Sequence, residues 1–216
     1  MRDLRRYVMF VKRLSVGPLE ANCYIVSDKK TGEAVVIDPG GDADKILDVI
    51  KSKDLKVKYI ILTHGHIDHI GALNEIKKAT NAKIAIHEKD ANMLLSPEDN
   101  LSIYVGGGFA QTPAEIFLKG GERFKVGDLT FEIIHTPGHT PGGISIRVDG
   151  MLFTGDTLFA GSVGRTDFPG GSYDELIKSI KEKLLPLGDD ISILPGHGEA
   201  SDIGFEKRTN PFLAEV

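Results

Sequence analysis

A single cysteine, Cys23, stands in 216 residues, so neither an internal disulfide framework nor a cysteine-built zinc ribbon is possible. A reducing, cytoplasmic setting is the expectation that follows. No stretch approaches the roughly 20 apolar residues that a membrane span requires, and the arginine-bearing start, residues 1–10, has no apolar run of the kind an export signal carries. Asp3 and the immediate start of a strand-like run argue against a mitochondrial presequence. Basic charge is in deficit: 26 Lys and Arg against 31 Asp and Glu leave a net charge of -5, with no basic block long enough to neutralise a row of phosphates. Nucleic acid and membrane are therefore not expected partners. What remains is the balance of an ordinary globular protein, 41% hydrophobic and 26% charged, at a length that suits one domain over 1–216.

β-Branched and aromatic runs predict strands over Val8 to Leu14, Cys23 to Ser27 and Ala34 to Asp38, the last closed by Pro39-Gly40-Gly41. Ile46, Leu47, Val49 and Ile50 then recur at helical spacing behind Asp42 and Asp44, which suit a helix N-terminus. Tyr59 to Leu62 is short and wholly apolar, as in a strand buried on both faces. Ile70, Leu73 and Ile76 predict a second helix, and Lys83 to Ile86 another strand. In the second half, strands are expected over Leu129 to His135, Gly143 to Val148, Met151 to Thr154 and Ile191 to Leu194, with a helix over Tyr173 to Leu185. Asp149-Gly150 marks a hairpin. This order is α+β within the broad α/β class, with two mixed sheets stacked and helices outside. Ser96 to Pro113 is the one long irregular stretch, a candidate mobile loop over a site, in which Tyr104 and Phe109 are expected to pack within the loop, with lining a pocket as the alternative.

Directly behind the buried Tyr59 to Leu62 strand comes Thr63-His64-Gly65-His66-Ile67-Asp68-His69, four potential metal ligands in a span of six residues. In an extended segment 64, 66 and 68 project to one side, while His69 would start the following helix. Further ligands arrive in Gly/Pro turns at strand ends: His139 in Thr136-Pro137-Gly138-His139-Thr140, Asp156 in Thr154-Gly155-Asp156-Thr157, and His197 in Pro195-Gly196-His197-Gly198. Neutral imidazole with carboxylate suits zinc, and also iron or manganese. His87 and His135 fall outside these motifs and are expected to be structural. Asp38, in Ile37-Asp38-Pro39-Gly40, has turn capping as its default role and support of a ligand as the alternative.

At these residues the sequence resembles the metallo-β-lactamase superfamily, whose signature is a His-x-His-x-Asp-His run followed by a distant His, an Asp and a last His. The resemblance implies an αββα sandwich with the site at one edge. It further implies one metal on His64, His66 and His139, a second on Asp68, His69 and His197, and Asp156 bridging both. The Thr-His-x-His-x-Asp-His form, Thr136-Pro137-Gly138-His139-Thr140-Pro141-Gly142 and Gly164-Arg165-Thr166-Asp167-Phe168-Pro169-Gly170 are similar to the glyoxalase II branch, the hydroxyacylglutathione hydrolases. Full-length glyoxalase II continues into a helical domain that supplies much of its glutathione site. Here 19 residues follow His197 (216 less 197), so the expectation shifts away from glutathione itself towards a smaller or different thiol carrier.

The implied activity is that of a metal-dependent hydrolase of a small-molecule thioester such as S-lactoylglutathione, in which a hydroxide held between two divalent metals attacks the carbonyl. Asp68 would also orient that hydroxide. Arg165 is placed either to clamp a substrate carboxylate in a bidentate pair or to form an ion pair with Asp167. The competing chemistry is that of persulfide dioxygenases, which share the fold and a similar Arg-Thr-Asp-Phe segment but use one iron. β-Lactam hydrolysis is disfavoured because Asp156 stands where such enzymes usually place Cys or Ser.

Overall fold

The computed structural model describes residues 9–213, so Val8 of the first expected strand and the arginine-bearing start lie outside the described residues. Strands β1 (Met9–Val16), β2 (Ala21–Asp28) and β3 (Glu33–Ile37) form an antiparallel meander, and β3 is joined in parallel by β4 (Lys56–Ile61), β5 (Lys83–His87) and β6 (Ile116–Leu118). The second sheet starts from β7 (Arg123–Val126), β8 (Leu129–His135), β9 (Ile144–Val148) and β10 (Met151–Gly155), all antiparallel. A small hairpin, β11 (Leu158–Phe159) and β12 (Ser162–Val163), leads on to β13 (Ser192–Pro195), parallel to β10, and an edge strand β14 (Ser201–Asp202). Both sheets are therefore mixed, as expected.

Alternation along the strands explains the layering. On β2, Tyr24 and Val26 point to the space between the sheets and meet Phe131, Ile133, Ile146 and Phe153 of the other, while Cys23 and Ile25 point outward. Because both faces are covered, β2 is buried along its whole length, with an apolar centre over Cys23 to Val26 between the buried polar residues Asn22 and Ser27. The outer face of the first sheet is closed by α1 (Ala43–Ser52) and α3 (Leu73–Thr80) through Ile46, Ile50, Leu73 and Ile76. The outer face of the second is closed by α4 (Tyr173–Ser179) and α5 (Ile203–Thr209). No described helix is long and apolar enough to cross a membrane.

Three expectations are corrected. The single helix expected through Ile70, Leu73 and Ile76 is two, because Gly71 and Ala72 separate α2 (Ile67–Ile70) from α3. The helix over Tyr173 to Leu185 is α-helical only to Ser179, then widens into a π turn over Ile180–Leu184 and tightens into a 3₁₀ turn at Pro186. Ser96 to Pro113 is not featureless: Ser102–Val105 forms a 3₁₀ turn, and buried Asn100 donates to the carbonyls of Met93 and Phe109 at 3.0 and 2.9 Å. The Asp149-Gly150 hairpin forms as expected, with both residues at positive φ.

Candidate metal centre

The ligand-bearing segments leave the C-terminal ends of β4, β8, β10 and β13, so the two sheets deliver them to one edge of the sandwich. His64 and His66 lie on the extended segment after β4, but that segment ends at His66, which caps α2 with φ -68° and ψ 149°. Asp68 therefore enters from the first helical turn and not from the extended run, a correction that leaves it pointing at the same centre. His139, Asp156 and His197 follow β8, β10 and β13. Tyr24 of β2 donates its hydroxyl to the Pro195 carbonyl at 2.7 Å, and the Asn22 side chain donates to Pro195 and Gly198, which fastens the His197 turn to the other sheet. Gly196 is required there by close approach: a Cβ would run into Asp156 Oδ1 and sit 2.8 Å from the His69 ring.

All seven expected ligands converge. Three groups have donor atoms lying within 4.8 Å of one another: His64, His66 and His139; His64, His69 and Asp156; and Asp68, His69 and His197. Asp156 faces both outer groups, with Oδ1 3.4 Å from His69 Nε2 and Oδ2 3.7 Å from His139 Nε2. His197 Nε2 lies 3.1 Å from Asp68 Oδ2.

Asp38 decides which ring nitrogens face inward. Its carboxylate accepts from the Thr63 backbone N–H at 2.7 Å and from the Thr63 hydroxyl at 2.6 Å, and takes His69 Nδ1–H at 3.0 Å. A carboxylate only accepts, so a neutral His69 turns its Nε2 lone pair inward; without a metal, the facing Asp68 and Asp156 carboxylates outweigh burial and favour a proton there. Since the Thr63 hydroxyl spends its proton on Asp38, its oxygen accepts from His64 Nδ1 at 3.1 Å, and His64 Nε2 likewise keeps a lone pair. His139 donates from Nδ1 to the Arg165 carbonyl at 2.7 Å, with the same result. Support of ligands, not turn capping, is thus the role of Asp38, and its positive φ of 50° is one that Asp tolerates better than most residues.

The metal fit is tested by what these lone pairs meet. His64 Nε2, His69 Nε2 and Asp156 Oδ1 are buried without a hydrogen-bond partner, each costing about 1–3 kcal/mol if left so. A proton on His69 Nε2 serves that atom and Asp156 Oδ1, 3.4 Å apart, and leaves His64 Nε2 without a donor, whereas a cation serves all three. Burial first, and then the neighbouring imidazoles, hold His64 far below the ordinary histidine range and His66 down to about 3, so both present neutral nitrogens at pH 7. At the second group, burial works against ionising Asp68, yet His69 and His197 outweigh it and hold that carboxylate low.

A cleft of about 510 Å³ opens over the centre. Phe168 stands edge-on to His66 at 5.5 Å and Phe159 edge-on to His197 at 6.3 Å, so each outer group has an aromatic wall. Tyr104 lines the cleft, the alternative to the loop packing expected of it, with Leu101 and Val105 beside it, whereas Phe109 packs against Gly107 within the loop as expected. Arg165 reaches the cleft wall, but Asp167 already holds its fork in two hydrogen bonds of 2.7 and 2.6 Å, and its guanidinium lies 4.0 Å over the Phe168 ring. His87 and His135, expected to be structural, stack on each other at 4.0 Å away from the donor atoms.

Asp90 escaped the sequence reading. Fully buried, it accepts from Thr140 Oγ1 and from the Gly142 backbone N–H, both at 2.6 Å, so it pins the loop that carries His139. Burial, opposed by those two donors, raises its carboxyl to about 6. The native state thus holds the proton more tightly than the unfolded chain, and this carboxyl makes stability fall as pH rises from about 4 to about 6. That difference is on the order of 3 kcal/mol. Asp90→Asn is expected to remove that part of the decline in metal-free protein, measured by urea unfolding at pH 4 and pH 7; an unchanged difference between the two pH values would exclude it.

Comparison with known proteins agrees with this architecture. The family model of the metallo-beta-lactamase superfamily matches residues 16–197. The chain is 43% identical over 209 residues to a Haemophilus influenzae protein named hydroxyacylglutathione hydrolase GloC, covering 95% of this chain and 98% of that one. Among solved structures it is similar to one described as BLEG-1 B3 metallo-beta-lactamase, at TM-score 0.90 and 36% identity over 94% of this chain and 99% of that one. It is also similar to ETHE1 from Myxococcus xanthus, at TM-score 0.80 and 29% identity over 95% and 85%.

Proposed function

The chain belongs to the metallo-beta-lactamase superfamily, and from that premise we propose that it is a hydrolase of thioesters, of the S-lactoylglutathione type, working with two divalent metal ions. The observation that carries this reading is Asp156, which lies between the two outer donor groups, with Oδ2 3.7 Å from His139 and 3.8 Å from His197 and Oδ1 3.4 Å from His69. His64, His66 and His139 would hold one ion, Asp68, His69 and His197 the other, and Asp156 both. Zinc is the proposed metal because the donors are imidazole and carboxylate without thiolate, a set that iron and manganese share. Two ions in such a site supply a hydroxide at neutral pH, by lowering the pKa of water towards roughly 7, and polarise a carbonyl.

The residues of the chain do the rest. Asp68 stands on the rigid first turn of α2 at the cleft floor, where besides ligating it accepts a hydrogen bond from the attacking water and fixes its direction. Phe159 and Phe168 narrow the approach to the centre. A thiol leaving group with a pKa of about 8.5 departs as thiolate without a general acid. The GloC relative matches over 98% of its own length, so the expectation of a smaller carrier than glutathione does not follow from length alone.

The ETHE1 similarity supports the second reading, a mononuclear iron persulfide dioxygenase. Against it stands the convergence of Asp68, His69 and His197, which one metal on the first group would not require. The lactamase neighbour makes a β-lactam the competing carbonyl substrate of the same centre. Chelation is expected to abolish thioester hydrolysis and zinc to restore it; hydrolysis that survives complete metal removal would end the proposal. Because Asp167 occupies its fork, Arg165 acts as cleft wall and as the carbonyl partner of His139. Arg165→Ala is then expected to raise KM more than it lowers kcat, and unchanged kinetics would remove the side chain from the site.

A further inference from the structure

The walls of the cleft carry a chemistry that the metal donors do not. Away from the donors its lining is apolar: Leu19 reaches in from the turn between β1 and β2, Leu101, Tyr104 and Val105 from the 3₁₀ turn, and Phe159 and Phe168 from the segments after β10. Several of these are large apolar side chains left open to water: Leu19 is 52% exposed, Tyr104 77% and Val105 50%. Exposing contiguous apolar side chains around a concave site has a cost in water that an apolar ligand would relieve.

Charge points the same way. Among the described residues lining the cleft, Arg165 is the one Lys or Arg, and the Nε–Nη2 edge of its guanidinium is taken by Asp167 while its face lies on Phe168. Asp68 and Asp156 add carboxylates that belong to the metal groups. Glutathione carries two carboxylates and an ammonium, and the hydroxyl of a lactoyl group also seeks a polar partner. Against those charges the lining sets one guanidinium, already paired with Asp167 along one edge.

Resting on the thioester-hydrolase reading, we infer that the preferred substrates are thioesters of apolar acyl groups, medium-chain or aryl, with the acyl group seated between Phe168 and the Leu101, Tyr104, Val105 face and the carrier contributing little through its charges. Each methylene buried there is worth about fourfold in kcat/KM. Hexanoyl over acetyl, four methylenes, is then on the order of 10²-fold.

The test uses the metal-loaded chain and one compact neutral carrier, N-acetylcysteamine, acylated with acetyl, lactoyl, butanoyl, hexanoyl and benzoyl groups, beside S-lactoylglutathione and S-hexanoylglutathione. The inference expects kcat/KM to climb with acyl length, hexanoyl to exceed lactoyl on the same carrier, and the two hexanoyl thioesters to agree within a few-fold. Binding supplies a readout apart from turnover: calorimetry with the unreactive thioether S-hexyl-N-acetylcysteamine should show saturable binding. Replacing both Tyr104 and Val105 by Ser, exposed positions at which folding is not at stake, should weaken that binding and cut hexanoyl turnover at least tenfold more than acetyl turnover. A flat or falling dependence on chain length, or S-lactoylglutathione as the best substrate, would overturn this inference and leave the hydrolase reading standing. No hydrolysis of any thioester by protein holding its metals would overturn both.

Discussion

Asp156→Ala is expected to strip the protein of both metal ions together and to lower kcat/KM for thioester hydrolysis by ~10³-fold or more, since Lewis-acid stabilisation is worth several kcal/mol. Its carboxylate stands between the two outer groups, near His139 on one side and near His69 and His197 on the other, so losing it takes a donor from both ions at once. The fold should survive. Without metal, burial opposes the Asp156 charge while His69, His139 and His197 hold it ionised, so its removal sheds a desolvated carboxylate and those attractions together. Metal-free Asp156→Ala is therefore expected to melt close to the metal-free parent, and the metal-loaded parent well above both. A variant that kept two ions per chain and its activity would show that Asp156 bridges nothing.

His66→Ala and His197→Ala separate the two halves of the centre. His66 belongs to the first group and is expected to lose metal and hydrolysis together, because His64 and His139 alone leave that ion two protein nitrogens. His197 belongs to the second group, where its Nε2 lies against Asp68 Oδ2. His197→Ala should retain one ion of two and still lose hydrolysis by about 10²-fold or more, since a nucleophile held between two metals needs both. A mononuclear dioxygenase would respond differently, with metal content and oxygen uptake unmoved by His197→Ala. Elemental analysis of the two variants beside rate measurements tells these apart.

The seven donors were legible because their signal is local. Four lie within Thr63 to His69, and the other three sit in Pro/Gly turns that interrupt apolar strands. Their convergence follows once each turn is placed at the C-terminal end of a strand, since both sheets present those ends to one edge. What stayed hidden depends on partners distant in sequence. Asp90 is an unremarkable carboxylate after β5 until the fold brings it to Thr140, 50 residues away. Asp38 showed two possible roles, and only the approach of Thr63 and His69, 25 and 31 residues on, selects one. Phe159 lies on a two-residue strand, too short for any periodicity to mark.

Shortness also concealed β6 and β7, of three and four residues, which pair at sheet edges and gain their definition from neighbours. In the segment from Tyr173 to Leu187, Leu176, Ile180 and Leu184 keep a helix-like spacing while the backbone widens into a π turn. The apolar pattern located the buried face and was blind to that change of winding. Arg165 shows the reverse limit: its sequence neighbourhood allowed substrate clamp or ion pair, and the short reach to Asp167 was taken up within the same loop.

The central claim, a two-metal thioester hydrolase, is tested most directly on one preparation purified without added metal. Bound metal is measured by elemental analysis, and the same sample is assayed for hydrolysis of S-lactoylglutathione and of a hexanoyl thioester, and for oxygen uptake with glutathione persulfide. Two ions per chain with thioester hydrolysis and no oxygen uptake is the predicted result. One iron per chain with oxygen uptake and no hydrolysis would contradict it, and would leave Asp68, His69 and His197 as residues gathered at the centre without a metal of their own.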